Sequence, residues 1–239
     1  MQSYRRILLS GLLRTPTGLM NLLQMTVLSY YFGNNGRTPY VHYMLFLGIP
    51  AFLGQLIAAG VAPKLADKYG AATTFAQANV FAGLALLSAF ALFLCRPQQL
   101  TQALPFTLLI LLLFCNMFCC GLVNTVQSIL IADAADQTEK ESGIRRDGIF
   151  VSGQSLLIKL STGVSALLQG LVFAISGFSG TAVRQINRAL YTGADFATDA
   201  SFATPRFAMF FLFLCLPGIS YLLSALPYRK SRNPHKAPV

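Results

Sequence analysis

The apolar residues of this chain occur in long blocks, not in the alternating pattern of a strand or the narrow stripe of a surface helix. A helix needs about 20 mostly apolar residues to cross a hydrocarbon core about 30 Å thick. Backbone groups cannot stay unpaired in lipid, so such blocks form helices and not open sheets. The pattern predicts six membrane-spanning helices, over residues 7–32, 41–61, 72–94, 104–131, 149–177 and 206–227.

The segments between these predicted spans are rich in glycine, proline and charge, which favour turns and loops. Short turns are expected at 33–39, 63–70 and 96–97, a charged loop at 133–148 and a longer polar loop at about 180–205. The predicted fold class is therefore all-α. We expect a six-helix membrane bundle over residues 1–227 and a basic cytoplasmic tail over 228–239.

Composition agrees with a membrane protein, because 54% of the residues are hydrophobic and 11% are charged, against about 25% charged in soluble domains. The net charge of +10 does not indicate a nucleic-acid partner, since the basic residues lie in short loops and in the tail. The five cysteines form no CxxC pair and the histidines number two, so neither a metal site nor a cofactor is expected.

The distribution of basic residues predicts the orientation, because cytoplasmic loops are enriched in lysine and arginine. With the N-terminus inside, the inner segments hold eleven basic residues and the outer loops hold five. Both termini should be cytoplasmic in a multi-pass protein of the inner membrane. The inner set is Arg5, Arg6, Lys64, Lys68, Lys140, Arg145, Arg146, Arg229, Lys230, Arg232 and Lys236, and the outer set is Arg37, Arg96, Arg184, Arg188 and Arg206.

Lys159 is the main candidate for a functional charge. It lies ten residues into the fifth predicted span, about 15 Å deep at about 1.5 Å per residue. A lysine there costs about 2.5–3.5 kcal/mol and usually faces a cavity or a partner. Arg14 lies about two turns into the first span, so its side chain is expected to extend to the membrane surface.

Polar residues near Lys159 suggest a binding site. Gln154 and Ser155 share a broad helix face with Lys159, and the fourth span carries Asn124 and Gln127. Amides and hydroxyls both donate and accept hydrogen bonds, which suits a polyhydroxylated ligand such as a sugar. The alternative is that these groups only hydrogen-bond between helices.

The segment 133–148 carries carboxylates and arginines at regular spacing. Acidic residues three apart line one side of a helix end, and a nearby arginine could pair with them in a cytoplasmic latch that opens as helices rock. A solvated charged loop is the simpler interpretation. The proposed latch residues are Asp133, Asp136, Glu139, Arg145 and Asp147.

This acidic segment, followed by Gln154-Ser155 and Lys159, resembles the glycoside–pentoside–hexuronide:cation symporters, the melibiose permease family of the major facilitator fold. The resemblance covers nearly the whole chain as the C-terminal half of such a protein. It implies that Lys159 lies close to the cation site and that Gln154, Ser155 and Gln127 are sugar-side positions. Asn124 stands where the family has a tryptophan, so the substrate is not carried over.

The resemblance implies symport of a sugar or glycoside coupled to Na⁺ or H⁺. The family's cation-binding carboxylates lie in an N-terminal half, and none of the eight acidic residues here falls inside a predicted span. The expected partners are the lipid bilayer, the substrate, and an N-terminal half or a second copy. By itself the chain is expected to be inactive.

Three other functions remain open. A non-transporting subunit or remnant would have the same topology. The cargo could be a lipid-like amphiphile. A rhomboid-like protease is suggested by Gly177-Phe178-Ser179-Gly180, but that serine needs a histidine base within reach, and His235 is predicted on the opposite side of the membrane.

Overall fold

The computed structural model describes residues 2–34, 40–143, 147–176 and 180–228, and this part of the chain is helical without strands. Two π-helical turns, Leu28–Phe32 and Phe211–Cys215, continue helices α2 and α8. The helices are α1 Gln2–Leu13, α2 Gly18–Val27, α3 Val41–Tyr69, α4 Ala71–Cys95, α5 Ala103–Ser142, α6 Asp147–Ile175, α7 Gly180–Thr192, α8 Ala203–Phe210 and α9 Leu216–Ala225.

Five helical segments of the described chain are long and apolar enough to span a membrane. They are Val41–Tyr69, Ala71–Cys95, Ala103–Ser142, Gly148–Ile175 and Ala200–Tyr228. The first predicted span, 7–32, consists instead of α1 and α2 joined by the 3-10 turn Thr15–Thr17. The all-α membrane bundle is confirmed, and the count of six spans stays a prediction.

Three segments expected to be loops are helical instead. Helix α3 continues through Pro63 to Tyr69 and α5 continues to Ser142, so neither 63–69 nor 133–142 is a loop. A proline removes one backbone hydrogen bond, and membrane helices tolerate this loss. Residues 180–192 form the amphipathic helix α7, which buries Ile186 and Leu190. The polar residues of its exposed side favoured a loop by composition, although the burial of Ile186 and Leu190 follows a helical spacing.

Glycine ends two of these helices. Gly70 alone connects α3 to α4 with φ of 85°, and Gly143 ends α5 with φ of 70°. Side chains rarely adopt this left-handed backbone. The turn between α3 and α4 is therefore reduced to a single residue.

Helix α5 is the centre of the packing. It packs along both α3 and α4, and α4 packs along α9. Small residues allow this close approach, as at Gly121 of α5, where an added Cβ would lie 2.8 Å from the Gln55 carbonyl oxygen. Close backbone contact is how helices associate in lipid, where hydrophobicity alone does not drive them together.

Helices α3 and α6 are the least covered by the rest of the chain. In their most apolar stretches 11% and 6% of residues are buried, against 50% for α4 and 56% for the segment Ala200–Tyr228. The contacts of α6 go mainly to the 3-10 turn Thr15–Thr17 and to α2. These two helices therefore present long apolar faces to lipid or to another bundle.

A cap closes the end of the bundle that carries α7, and we define it as residues 193–202. Phe196 and Phe202 stack within it at 5.4 Å between ring centroids. Arg206, which is 4% exposed, donates hydrogen bonds through Nη1 to the carbonyl oxygens of Phe196 at 2.8 Å, Ala197 at 2.7 Å and Asp199 at 3.4 Å. The buried guanidinium of Arg206 thus holds the cap through the cap's backbone carbonyl oxygens.

The cap also contains a local turn around Asp199. Its carboxylate accepts hydrogen bonds from the backbone amide and the hydroxyl of Ser201, both at 2.8 Å. These bonds hold the pKa of the Asp199 carboxyl below its ordinary value. Phe196 and Phe202 are buried, so the segment expected to be a polar loop is folded onto the bundle.

The orientation predicted from the basic residues can be tested with reporter fusions. Because cytoplasmic segments are enriched in lysine and arginine, fusions after Val239 and after Lys140 should be active in the cytoplasm. A fusion after Thr192, the last residue of α7, should be active on the opposite side. Activity of the Val239 fusion outside the cytoplasm would contradict the orientation.

Candidate substrate site

The break between α1 and α2 positions the candidate site. Pro16 has no amide hydrogen and cannot satisfy the carbonyl four residues earlier, that of Leu12. The hydroxyl of Thr15 replaces it by donating to the Leu12 oxygen at 2.8 Å. The chain tightens into the 3-10 turn Thr15–Thr17 and resumes as α2 at Gly18.

Serines from two other helices donate hydrogen bonds to backbone carbonyls at this break. Ser161 and Ser165 of α6 donate to the Thr15 oxygen at 2.7 and 3.0 Å. Ser220 of α9 donates to the Leu13 oxygen at 2.6 Å. An unpaired carbonyl is costly in lipid, so these hydroxyls fasten α6 and α9 to the break.

A cavity of about 340 Å³ lies beside the break, between α1, α2, α3, α5, α6 and α9. This is within the range of about 300–1,000 Å³ that is common for ligand sites. Amides, hydroxyls and one guanidinium form its polar lining, and apolar side chains form the rest. The polar lining residues are Arg14, Thr17, Asn21, Gln55, Asn124, Gln127, Gln154, Ser161, Thr162 and Tyr221.

Arg14 lies on the cavity wall and does not extend to the membrane surface, so the expectation from its position in the span is wrong. Its Nη2 donates a hydrogen bond to Oε1 of the buried Gln127. Its guanidinium carbon lies 6.0 Å from the centroid of the Phe75 ring.

The structure brings together three of the five candidate residues. Asn124, Gln127 and Gln154 line the same cavity, although they come from α5 and α6. Ser155 and Lys159 do not line it and lie exposed on α6. In the described part of the chain, neither has a hydrogen-bond or ion-pair partner.

Sequence reasoning did not identify several cavity residues, among them Arg14, Asn21, Gln55 and Tyr221. Tyr221 is buried, and its hydroxyl lies 2.7 Å from the sulfur of Cys120. The sequence feature that indicates the cavity is the polar, proline-containing segment Arg14-Thr15-Pro16-Thr17 inside an apolar block. Proline-interrupted spans mark binding sites in transporters, and this segment lies beside the cavity.

The proposed latch is described only in part. Asp133, Asp136 and Glu139 lie on the last turns of α5, and the backbone of Asp147 begins α6. Arg145 and the side chain of Asp147 are outside the described residues, so the latch stays a prediction. Ser179 and His235, the residues of the rhomboid-like interpretation, are also outside them.

Comparison with known proteins finds a relative of similar sequence. An uncharacterised 29.9 kDa protein encoded in the crtE 3′ region of Pseudescherichia vulneris is 25% identical over 189 residues, or 79% of this chain. The match covers 62% of that relative, so the chain spans less than two thirds of its length. No solved structure matches significantly.

The family comparison identifies the class of protein. The sequence profile described as "MFS/sugar transport protein" matches residues 1–230, nearly the whole chain. Members of that family are transporters and not enzymes, which excludes the rhomboid-like protease. The chain therefore belongs to the MFS/sugar transport protein family of the major facilitator superfamily.

Proposed function

We propose that this chain is the C-terminal bundle of a melibiose permease-like symporter that moves a sugar or glycoside together with Na⁺ or H⁺. The observation that carries the proposal is the cavity beside the broken first span. It collects the amides of Asn124, Gln127 and Gln154 with the hydroxyls of Ser161 and Thr162. These groups match the donors and acceptors of a polyhydroxylated ligand.

The uncovered faces of α3 and α6 support a partner bundle. Transporters of this fold bind substrate between two halves that rock against each other. Ser155 and Lys159 lie on the exposed side of α6, where a second bundle would cover them. In the proposal, Lys159 pairs there with a carboxylate of the N-terminal half and couples the cation to transport.

The test is uptake of radiolabelled sugars into proteoliposomes under an imposed Na⁺ or H⁺ gradient. The chain alone should be inactive, because it supplies one side of the site and no carboxylate within its predicted spans. Co-expression with the N-terminal half of a related symporter should give saturable, gradient-driven uptake. Such uptake by the lone chain would contradict the need for a second half, and no uptake by either preparation would contradict the proposal.

Variants of the active assembly separate binding from coupling. Gln154→Ala should weaken apparent sugar affinity about three- to tenfold, the effect of one lost hydrogen bond. Lys159→Leu should insert normally but lose gradient-driven accumulation. Ser152→Ala is the control, because Ser152 is exposed on α6 and, among the described residues, its hydroxyl bonds the Ile149 oxygen of its own helix. Normal accumulation by Lys159→Leu would remove Lys159 from the mechanism.

A further inference from the structure

A second cavity, of about 520 Å³, is an open groove between α3, α4 and α5, and it shares no lining residue with the candidate substrate cavity. On α4 the groove extends from Thr74 to Ser88, which is about 21 Å at about 1.5 Å per residue. That length exceeds one leaflet of a hydrocarbon core about 30 Å thick, so the groove can hold a whole acyl chain. Its middle is lined by Phe81, Leu84, Ala85, Cys115, Phe118 and Leu122.

One end of this groove carries positive charge. Tyr69, the last residue of α3, lines the groove, and Nζ of Lys68 lies 5.0 Å from the centroid of the Tyr69 ring. Lys64 is exposed one helical turn earlier, and residues four apart are neighbours on a helix surface. In the described part of the chain neither lysine forms an ion pair. Both ammonium groups are therefore available to an anion.

The nearby carboxylate of Asp67 lies on the other side of α3. Asp67 is two residues from both Leu65 and Tyr69, which line the groove, and this spacing places it about 160° away from each around the helix axis. Lys68 is three residues after Leu65 and only about 60° away from it. An anion at the end of the groove therefore meets Lys68 and not Asp67.

The first turn of α4 adds hydrogen-bond donors at the same end of the groove. The first amides of a helix have no partner within that helix. Gly70, the residue before α4, provides no side chain to cap them, and the first turn contains no acidic residue. The positive end of the helix dipole favours an anion here, and Thr74, four residues after Gly70, lines the groove.

A long apolar groove that ends at cationic groups fits one class of molecule, an anionic phospholipid. Basic pockets between membrane helices on the cytoplasmic side bind anionic headgroups, and the predicted orientation places Lys64 and Lys68 on that side. We propose that one acyl chain lies in the groove while the headgroup phosphate binds Lys68, Lys64 and the first turn of α4. The groove is separate from the candidate substrate site, so this inference does not depend on the proposed function.

The experiment measures lipid binding to the purified full chain in neutral detergent by native mass spectrometry. The probes are dioleoyl phosphatidylglycerol, dioleoyl phosphatidylcholine, which has the same chains without net charge, and glycerol 3-phosphate, which has the phosphate without chains. Phosphatidylglycerol should bind about tenfold or more tightly than phosphatidylcholine, the effect of a charge-assisted hydrogen bond. Glycerol 3-phosphate should not bind measurably, because the groove would remain unfilled.

Two variants test the two parts of the site. Lys68→Gln should remove most of the preference for phosphatidylglycerol, whereas Lys140→Gln, at an exposed position near the end of α5, should retain it. Cys115→Phe fills the middle of the groove and should weaken phosphatidylglycerol binding about tenfold. Its control is Cys95→Phe, because Cys95 is also exposed but does not line the groove. The lipid series on the unmodified chain decides the question even if a variant does not fold.

Three results would overturn the inference. Equal binding of the two phospholipids would mean that bulk lipid covers the groove irrespective of charge. An equal loss of preference in Lys140→Gln and Lys68→Gln would mean that the attraction is a general property of the basic surface. A spectrum of dimers without bound lipid would assign the groove to a second copy of the chain.

Discussion

Replacing Gly121 by leucine should destabilise the bundle by about 3 kcal/mol, the upper part of the usual range for overpacking. A Cβ at Gly121 would lie 2.7 Å from the Cβ of Ala58 and 2.8 Å from the Gln55 carbonyl oxygen. These atoms belong to the backbone or to a side chain without rotatable bonds. Relief therefore requires α3 to move away from α5, which also separates the buried cluster of Ala58, Ala62 and Val123.

The matched control is Gly60→Leu. Gly60 also lies inside an apolar helix, α3, but an added Cβ there meets nothing within 4 Å. Thermal unfolding in detergent, followed by circular dichroism, should show a large decrease in Tm for Gly121→Leu and little change for Gly60→Leu. Equal Tm values for the two variants would mean that α3 does not pack on α5 as described.

Replacing Arg206 by methionine should release the cap over residues 193–202. The substitution leaves the carbonyl oxygens of Phe196 and Ala197 without their charged donor, and each orphaned buried group costs about 1–3 kcal/mol. A total loss of about 3 kcal/mol is expected. Phe196 and Phe202, which are buried in the native cap, would become accessible to chymotrypsin.

The measurement is the rate of chymotrypsin cleavage at Phe196 and Phe202 in detergent, together with Tm. Arg188→Met is the control, because Arg188 lies exposed on α7, and surface changes usually stay within about 0.5 kcal/mol. Unchanged protection of the cap in Arg206→Met would show that the aromatic contacts hold it without the arginine.

If the cap and the serine hydrogen bonds at the turn Thr15–Thr17 both persist during transport, the bundle consists of a rigid part and a movable part. The cap contacts the first predicted span through Phe196, whose ring centroid lies 5.5 Å from that of Tyr30, and it is bound to the last span by Arg206. Helix α6 depends on the hydroxyls of Ser161 and Ser165 at the break. A motion that loosens α6 would therefore change the cavity before it disturbs the core.

The family assignment narrows the function but leaves the substrate open. The relative from Pseudescherichia vulneris carries no described activity in its name. The chemistry of the cavity is therefore the main evidence about the cargo.

The sequence by itself determined the class of protein, and five of its predicted spans overlap apolar helices long enough to cross a membrane. Long apolar segments can adopt few structures in lipid, because every backbone group must be paired within a helix or a closed barrel. That constraint is local, so it can be recognised from composition and length. It also located Asn124, Gln127 and Gln154, since polar residues are conspicuous inside apolar blocks.

Only the tertiary structure decided which side chains meet. The same sequence rules placed Arg14 at the surface and gave prominence to Lys159, yet Arg14 lines the cavity and Lys159 lies on the uncovered side of α6. Arg14 is held in the cavity wall by Gln127, 113 positions away, and α6 is held by serines 146 and 150 positions from the Thr15 carbonyl that they bind. Contacts between residues so distant in the chain depend on the rotation and approach of whole helices, which local patterns do not specify.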